Sequence, residues 1–342
     1  MKFGAFDHID RGIVPTAEQY EQRLQIVEAI EESGWFHAFH MAEHHGTPLG
    51  MAPSPSVFLA AVAQRTTTLR FGPMVYMMAG YHPYRLYEEI CMLDQMSFGR
   101  LELGIGRGVS PIELSFLGVS SPELANEMYA ESLDVLFRAF ANDGTLNFQG
   151  KHYQFDNVPV PMAPYQKPHP PLWYGIGSPE RTIWATAYNV NLMTNQKAAD
   201  ARVIGDRFRL EWANAGKDPR DLPFFASTKH LVIADTDAEA LALAKSAYAM
   251  YTNHTTLLWR QRNIPRLRAW VDDFDEALAG RLIIAGSPKR VRDELAAFIE
   301  EAGINYLATR VAFGDLTFEQ SLHSLELLTE QVLPDLAELQ PA

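Results

Sequence analysis

The densest group of residues able to do chemistry lies between Gly34 and Ser54. His37, His40, His44 and His45, four of the eleven histidines, fall within nine positions, with Glu43 among them. Imidazoles move protons near neutrality and ligate metals. The spacing His40-x-x-Glu43-His44 matches an inverted zinc-hydrolase pattern. That pattern needs a helix, because only helical spacing puts residues four apart on one face around a single metal. Trp35 to Met41 is instead an aromatic, apolar run, with Gly34 before it and Gly46 and Pro48 after it, which predicts a strand. On a strand, His40 and His44 would share a side but stand roughly 13 Å apart, too far for one zinc. The segment therefore reads as a strand opening into ionisable residues, as barrel and sheet strands do at an active site. Ordinary histidines at a strand end are the bland alternative.

Holding such a rim takes a large scaffold. At 342 residues the chain can bury the core of two domains or of one α/β barrel. Apolar residues at 47% and charged ones at 21% are ordinary for a soluble globular protein. A net charge of −13 argues against nucleic acid and anionic membranes as partners. With Cys91 the sole cysteine, an internal disulfide and a multi-cysteine metal cluster are excluded. No run approaches the ~20 apolar residues of a membrane span. Met1 to Asp7 lacks the apolar core of a signal peptide. A cytoplasmic protein is expected.

Strands are expected at Lys2 to Phe6, Phe36 to Met41, Leu69 to Met78 and from Leu101. Helices are expected at Thr16 to Ser33 with Thr16 as cap, from Ser54 or Ser56 to about Gln64, at Tyr84 to Gln95 and at Pro122 to Asn142. Leu146 to Phe155 reads as a β-hairpin turning at Gly150, followed by a proline-rich crossing. The alternation then resumes with strands at Leu172 to Ile176, Val190 to Thr194, Phe224 to Ala234 and Tyr306 to Ala312. Between and after them, helices are expected from Pro179, at Lys197 to Ala215, Asp237 to Met250, Ser287 to Glu301 and Phe318 to Leu333. Tyr251 to Leu282 reads as irregular, an insertion or mobile lid. Strand–helix alternation implies a parallel sheet, and eight units close into a (β/α)8 barrel. One domain over 1–342 is expected, with insertions at about 143–170 and 235–285; an open doubly wound sheet is the alternative.

Lys2-Phe3-Gly4, Glu43-His44-His45, His82-Pro83-x-Arg85, Leu93-Asp94-Gln95-Met96-Ser97-x-Gly99-Arg100 and Gly104-Ile105-x-Arg107-Gly108 occur in an order and spacing that resembles bacterial luciferase. The likeness to the luciferase-like flavin-dependent monooxygenases is densest over residues 1–118 and continues thinly through Trp184 to Leu333-Pro334. It implies a barrel that binds reduced FMN, supplied by a separate flavin reductase. Dioxygen is then activated as a flavin hydroperoxide that oxygenates an organic substrate, expected to be small and largely apolar. Family members pair through barrel helices, so a homodimer is expected. A deazaflavin-dependent oxidoreductase on the same barrel, and a flavin-binding protein without turnover, are the alternatives. No metal is expected.

The resemblance also assigns residues. His44 aligns with the family's catalytic histidine, a neutral imidazole that takes and returns a proton near the flavin; Glu43 or His45 is expected to orient it. Arg107 falls at a flavin-phosphate contact, where a guanidinium offers paired donors. Gly177, Ser178 and Arg181 occupy a second phosphate-binding turn, with Pro179 opening a helix. Met74-Val75 aligns with a non-proline cis peptide that supports the flavin ring. Gly104-x-Gly106-x-Gly108 looks like a dinucleotide fingerprint, but its last glycine is one position early and no helix is expected there. These glycines read as leaving room for flavin. Luciferase's catalytic subunit has cysteine at the position of Gly106, so light emission is not implied. Met77, Met78, Tyr81 and His82 are expected to line the pocket. His254 to Gly280 matches the position of luciferase's mobile loop.

Overall fold

A computed structural model describes residues 1–141, 144–265 and 271–339. The strands are β1 (Lys2–Asp7), β2 (Phe36–Met41), β3 (Arg70–Pro73), β4 (Tyr76–Met77), β5 (Leu103–Gly106), β6 (Thr145–Gln149), β7 (Gln154–Pro159), β8 (Leu172–Gly175), β9 (Asn191–Thr194), β10 (Phe225–Ile233), β11 (Ile283–Gly286) and β12 (Tyr306–Arg310). The helices are α1 (Thr16–Ser33), α2 (Pro55–Arg65), α3 (Pro83–Met96), α4 (Pro111–Phe116), α5 (Pro122–Ala141), α6 (Thr182–Tyr188), α7 (Ala198–Asn214), α8 (Asp237–Arg262), α9 (Phe274–Ala279), α10 (Pro288–Ala302), α11 (Phe318–Gln331) and α12 (Leu333–Ala337).

Parallel pairing runs β3-β2-β1-β12-β10-β9-β8-β5-β4, with β11 beside the end of β10. A single bridge between Phe71 and Leu101 spans the remaining seam between β3 and β5, so the sheet is a nearly closed barrel with its helices outside. β6 and β7 form a separate antiparallel hairpin. Period-2 alternation sorts the strands. Phe6, Trp173, Met193, Ala226, Tyr306 and Ala308 meet in one lumen cluster. Their neighbours Leu192, Phe225 and Leu307 pack outward with the helices.

Helix ends follow local chemistry. α1 stops where Gly34 takes φ 69°, its N–H bonding Glu31 O, a left-handed cap that glycine adopts without a Cβ penalty. Thr16 is the first helical residue rather than the cap, which is Pro15. The third strand is divided: Met74–Val75 is a cis peptide, and the chain leaves β2 as β3 to join β5 as β4. The expected helix from Pro179 begins instead with a 3-10 turn, and α6 starts at Thr182.

The largest departure is α8. It was expected to end near Met250 but runs 26 residues to Arg262, with Asn263 as left-handed cap. Its aromatic and polar residues look irregular in sequence, yet Tyr251, His254 and Leu258 are buried against the barrel, and burial decides the helix. Of the expected lid, 254–262 is helical, 266–270 lie outside the described residues, and α9 covers 274–279. No helix among the described residues is long and apolar enough to cross a membrane.

Candidate active site

The strand ends carrying the expected site are stitched together beyond their ladders. Ala42 N–H donates to Asp7 O at 2.9 Å, and Met74 N–H to Met41 O at 2.6 Å. Glu43 is buried. It accepts from Met77 N–H at 3.0 Å and pairs with His45 Nε2 at 2.7 Å, tying the exit of β2 to β4. Neither Glu43 nor His45 orients His44, contrary to expectation. The partner is Glu113 on α4, whose carboxylate oxygens lie 3.1 and 3.3 Å from His44 Nδ1 and accept from His45 N–H at 2.8 Å.

A carboxylate accepts only, so Nδ1 carries a proton in either charge state, and in the neutral imidazole the lone pair is on Nε2. Burial works to raise the Glu113 carboxyl. The charge and bond of His44, with bonds from His45 N–H and Ser110, outweigh it and hold the carboxyl below its usual range. Glu113 follows Ser110 at capping-box spacing, and Ser110 Oγ does accept from Glu113 N–H. The Glu side chain, however, turns to histidines 69 and 68 positions away.

The expected flavin-binding residues divide. Gly104 and Gly106 do not open a space: a Cβ on Gly104 would stand 2.0 Å from Pro73 O, and one on Gly106 2.5 Å from Val75 Cγ2. They let the strand carrying the cis peptide cross closely. At Gly175, by contrast, a Cβ would meet only Met74 Cε at 3.9 Å, so the end of β8 beside Met74 is open. Arg107 Nη1 donates to Asn126 Oδ1 at 2.9 Å. One turn along α5, Tyr129 feels the charge of Arg181; burial and Tyr174 nevertheless push its phenol up. Arg107 and Arg181 thus approach one flank of α5 from adjacent strands β5 and β8, and among the described residues neither makes an ion pair. Ser178 is exposed and extended just before the 3-10 turn, and Gly177 O accepts from Gln196 Nε2 at 3.5 Å. Contrary to expectation, a helix does begin near the glycine run, α4 at Pro111.

Of the expected pocket lining, Met78 is buried in the main core. His82 packs edge-on against Tyr153 and Phe155 of the hairpin region rather than on the mouth. His40 points into the lumen and bonds Tyr306 OH at 3.0 Å; burial drives its pKa down to about 3. With His40 there and His44 on Glu113, the two do not share a metal. No group of three or more ligand-type residues is suitably placed among the described residues.

Sequence reasoning missed the neighbouring arc of the mouth, carried by β1, β12 and β10 next to β2. His8 stacks on His44, ring centroids 5.2 Å apart, and touches Tyr251 at 5.7 Å. His230 Nε2 accepts from Arg310 Nη1 at 2.5 Å. Burial, then the charge of Arg310, pushes both His8 and His230 well below the ordinary histidine pKa, so both are neutral. The available signal was a charged residue on the inward period of the last strand, Tyr306, Ala308, Arg310.

This architecture has counterparts. The chain is 38% identical to protein y4wF of Sinorhizobium fredii, with 97% of this chain and 96% of that one covered. It is 26% identical to the oxygenase component of the flavin-dependent trigonelline monooxygenase of Acinetobacter baylyi, covering 99% and 96%. The fold matches the oxygenating constituent of 3,6-diketocamphane monooxygenase from Pseudomonas putida, solved with FMN, at TM-score 0.80, 21% identity and 98% coverage of both chains. It also matches the coenzyme F420-dependent tetrahydromethanopterin reductase of Methanopyrus kandleri at TM-score 0.71, 17% identity, 98% of this chain and 99% of that one. The model of the luciferase-like monooxygenases matches residues 1–306, and the chain belongs to that family of flavin-dependent enzymes.

Proposed function

We propose that this protein is the oxygenase of a two-component system: it takes reduced FMN from a separate reductase and inserts one oxygen atom of dioxygen into a small, largely apolar organic molecule. The observation that carries the reading is His44, held by Glu113 through Nδ1 with its Nε2 lone pair free, at the strand ends beside the cis Met74–Val75 turn. Met74 and Val75 with the open end of β8 would support the ring system. Arg107, Gly177, Ser178 and Arg181 would hold the phosphate, two guanidiniums without carboxylate partners meeting an anion. When bound, reduced FMN supplies the electrons that activate dioxygen. His44 Nε2 takes a proton and returns it as the reaction completes, while Glu113 stabilises the imidazolium. Buried Phe6, Met74 and Met193 suit an apolar substrate body.

The whole chain acts here as one barrel domain. Pairing of two copies would cover the exposed Val57 of α2 and Met92 and Met96 of α3, which sedimentation tests. Mixing the protein with photoreduced FMN and then oxygen in a stopped-flow cell tests the chemistry. Tight binding followed by an oxygen-dependent absorbance change, slower than in free flavin, is expected; no binding and no change would end the reading. The fold shared with an F420-dependent reductase supports a second reading, hydride transfer with a deazaflavin. Competition between the two cofactors decides, because only the FMN reaction consumes oxygen.

A further inference from the structure

We propose that the corner of the mouth formed by Phe6, His8, His230, Tyr251 and Arg310 is a carboxylate-binding subsite, so that the substrate is an apolar molecule bearing an acid group. This rests on the mouth being the reaction chamber. Arg310 ends β12 on the inward period, and only 4% of its surface is exposed. The ring of Phe6 lies 4.7 Å from its guanidinium carbon and that of Tyr251 5.4 Å. With aromatic rings against it, the planar cation bonds through its in-plane edges. Nη1 on one edge is used by His230. Nε, on the edge that forks onto a carboxylate, is buried without a hydrogen-bond partner.

Two carboxylates lie on the neighbouring stretch of chain, and neither hydrogen-bonds Arg310 Nε: burial raises the Asp7 carboxyl against the charges of Arg23 and Arg310, and Asp10 Oδ1 is itself buried without a hydrogen-bond partner. Asp7 Oδ2 lies 3.0 Å from Arg23 Nε, and Asp10 Oδ2 accepts from Gly314 N–H at 2.9 Å and faces His254 Nδ1 at 3.4 Å. Another unpartnered buried atom, His8 Nδ1, belongs to the same corner, and His8 is stacked on His44. Asp7 offsets part of the Arg310 charge without bonding it, and a buried N–H donor left without an acceptor is still costly. An acid group seated on Arg310 Nε, with His8 Nδ1–H as second donor, satisfies both. It also anchors the substrate beside His44, leaving its apolar body toward Met74 and Met193. Nε is sealed from water, so the Tyr251 side chain on α8 must swing aside to admit the acid.

Isothermal titration of the full chain with hexanoate and benzoate, against hexanamide and benzamide of the same shape, tests this. The carboxylates are expected to bind more tightly by on the order of tenfold or more, the range of a charge-assisted hydrogen bond. Arg310→Met is expected to abolish the preference. Arg310→Lys, which keeps the charge but loses the fork, is expected to lose most of it and serves if the methionine variant does not fold. Equal binding of acids and amides, no binding of either, or a preference that survives substitution would overturn the proposal. Binding of photoreduced FMN in the same preparation separates the two readings. Flavin binding without acid preference overturns only the subsite. Acid preference without flavin binding overturns only the flavin reading.

Discussion

The two ends of the barrel are built from the same chemical vocabulary and use it differently. At the floor, where strands begin, buried Glu102 accepts from Trp173 Nε1 at 2.5 Å and from Arg70 Nε, with His37 Nε2 at 3.4 Å. Trp173, Phe224 and Tyr306 close ring against ring beside it. At the mouth, Glu113 likewise faces a histidine, but there bonding capacity is left over: the Nε2 lone pair of His44, His8 Nδ1 and Arg310 Nε. A carboxylate surrounded by donors holds strands together; a histidine–carboxylate pair with one nitrogen unspent can move a proton. Residue type does not separate structure from chemistry here. What differs is how much valence is left: His40 Nδ1, beside Trp173 and Tyr306, is also without a partner, but at the mouth three such groups share one corner.

The sharpest way to break that distinction is to remove one histidine from each end. His44→Ala is expected to lower the product-forming rate by roughly 10²–10⁴-fold, the worth of a positioned acid–base group, while photoreduced FMN still binds. His37→Ala should leave the rate within about threefold and lower stability by about 1 kcal/mol, read from urea denaturation. Equal losses of rate in the two variants would collapse the contrast.

Exchanging the two carboxylates for amides comes next in size. In Glu113→Gln the amide no longer stabilises the imidazolium or fixes its tautomer, so the rate should fall about tenfold with the urea midpoint nearly unchanged. Glu102→Gln should do the reverse. It strips the charge that neutralises Arg70, at a cost of about 2 kcal/mol, moderated because Arg70 is a quarter exposed, and kinetics should hardly change. A Glu113→Gln enzyme with full activity would show that His44 needs no orienting partner.

How far the sequence speaks follows the range of the forces involved. Strand–helix alternation is local, and it is visible in apolar runs punctuated by Gly34, Pro55, Pro83 and Pro288, each at a helix boundary in the structure. The His44 loop is legible because its ionisable residues are contiguous. Glu113 is not: nothing local marks it, and only the folded barrel shows a histidine 69 positions away in reach. The extension of α8 past Met250 is hidden for a related reason. Its Tyr251, His254 and Thr256 are poor helix formers, kept helical by burial against the mouth. Arg310 reads as one more residue of the last strand until the aromatic rings of Phe6 and Tyr251, 304 and 59 positions earlier, are seen on it.

The smallest effect is a difference in the sign of pH dependence. The bond to Glu43 raises the His45 pKa above its usual value, against the opposing effect of partial burial. Its folded pKa therefore exceeds the unfolded value of ~6.5, and its stabilisation is full below that pH and lost as pH rises through the folded value. At the floor, burial works to raise the Glu102 carboxyl, but His37, Arg70 and Trp173 outweigh it and hold the carboxyl below its ordinary range. That contribution is present above the unfolded value of ~4.3 and is lost as pH falls through the folded one. The destabilisation in His45→Gln should accordingly shrink between pH 6 and pH 8, by less than about 1 kcal/mol because water reaches the pair. That of Glu102→Gln should stay constant there and shrink only on acidification below about pH 4. Urea titrations across both windows give the two slopes. If His45→Gln costs the same at pH 6 and pH 8, the Glu43–His45 contact is a neutral hydrogen bond, and the mouth differs from the floor only in the valence it leaves open.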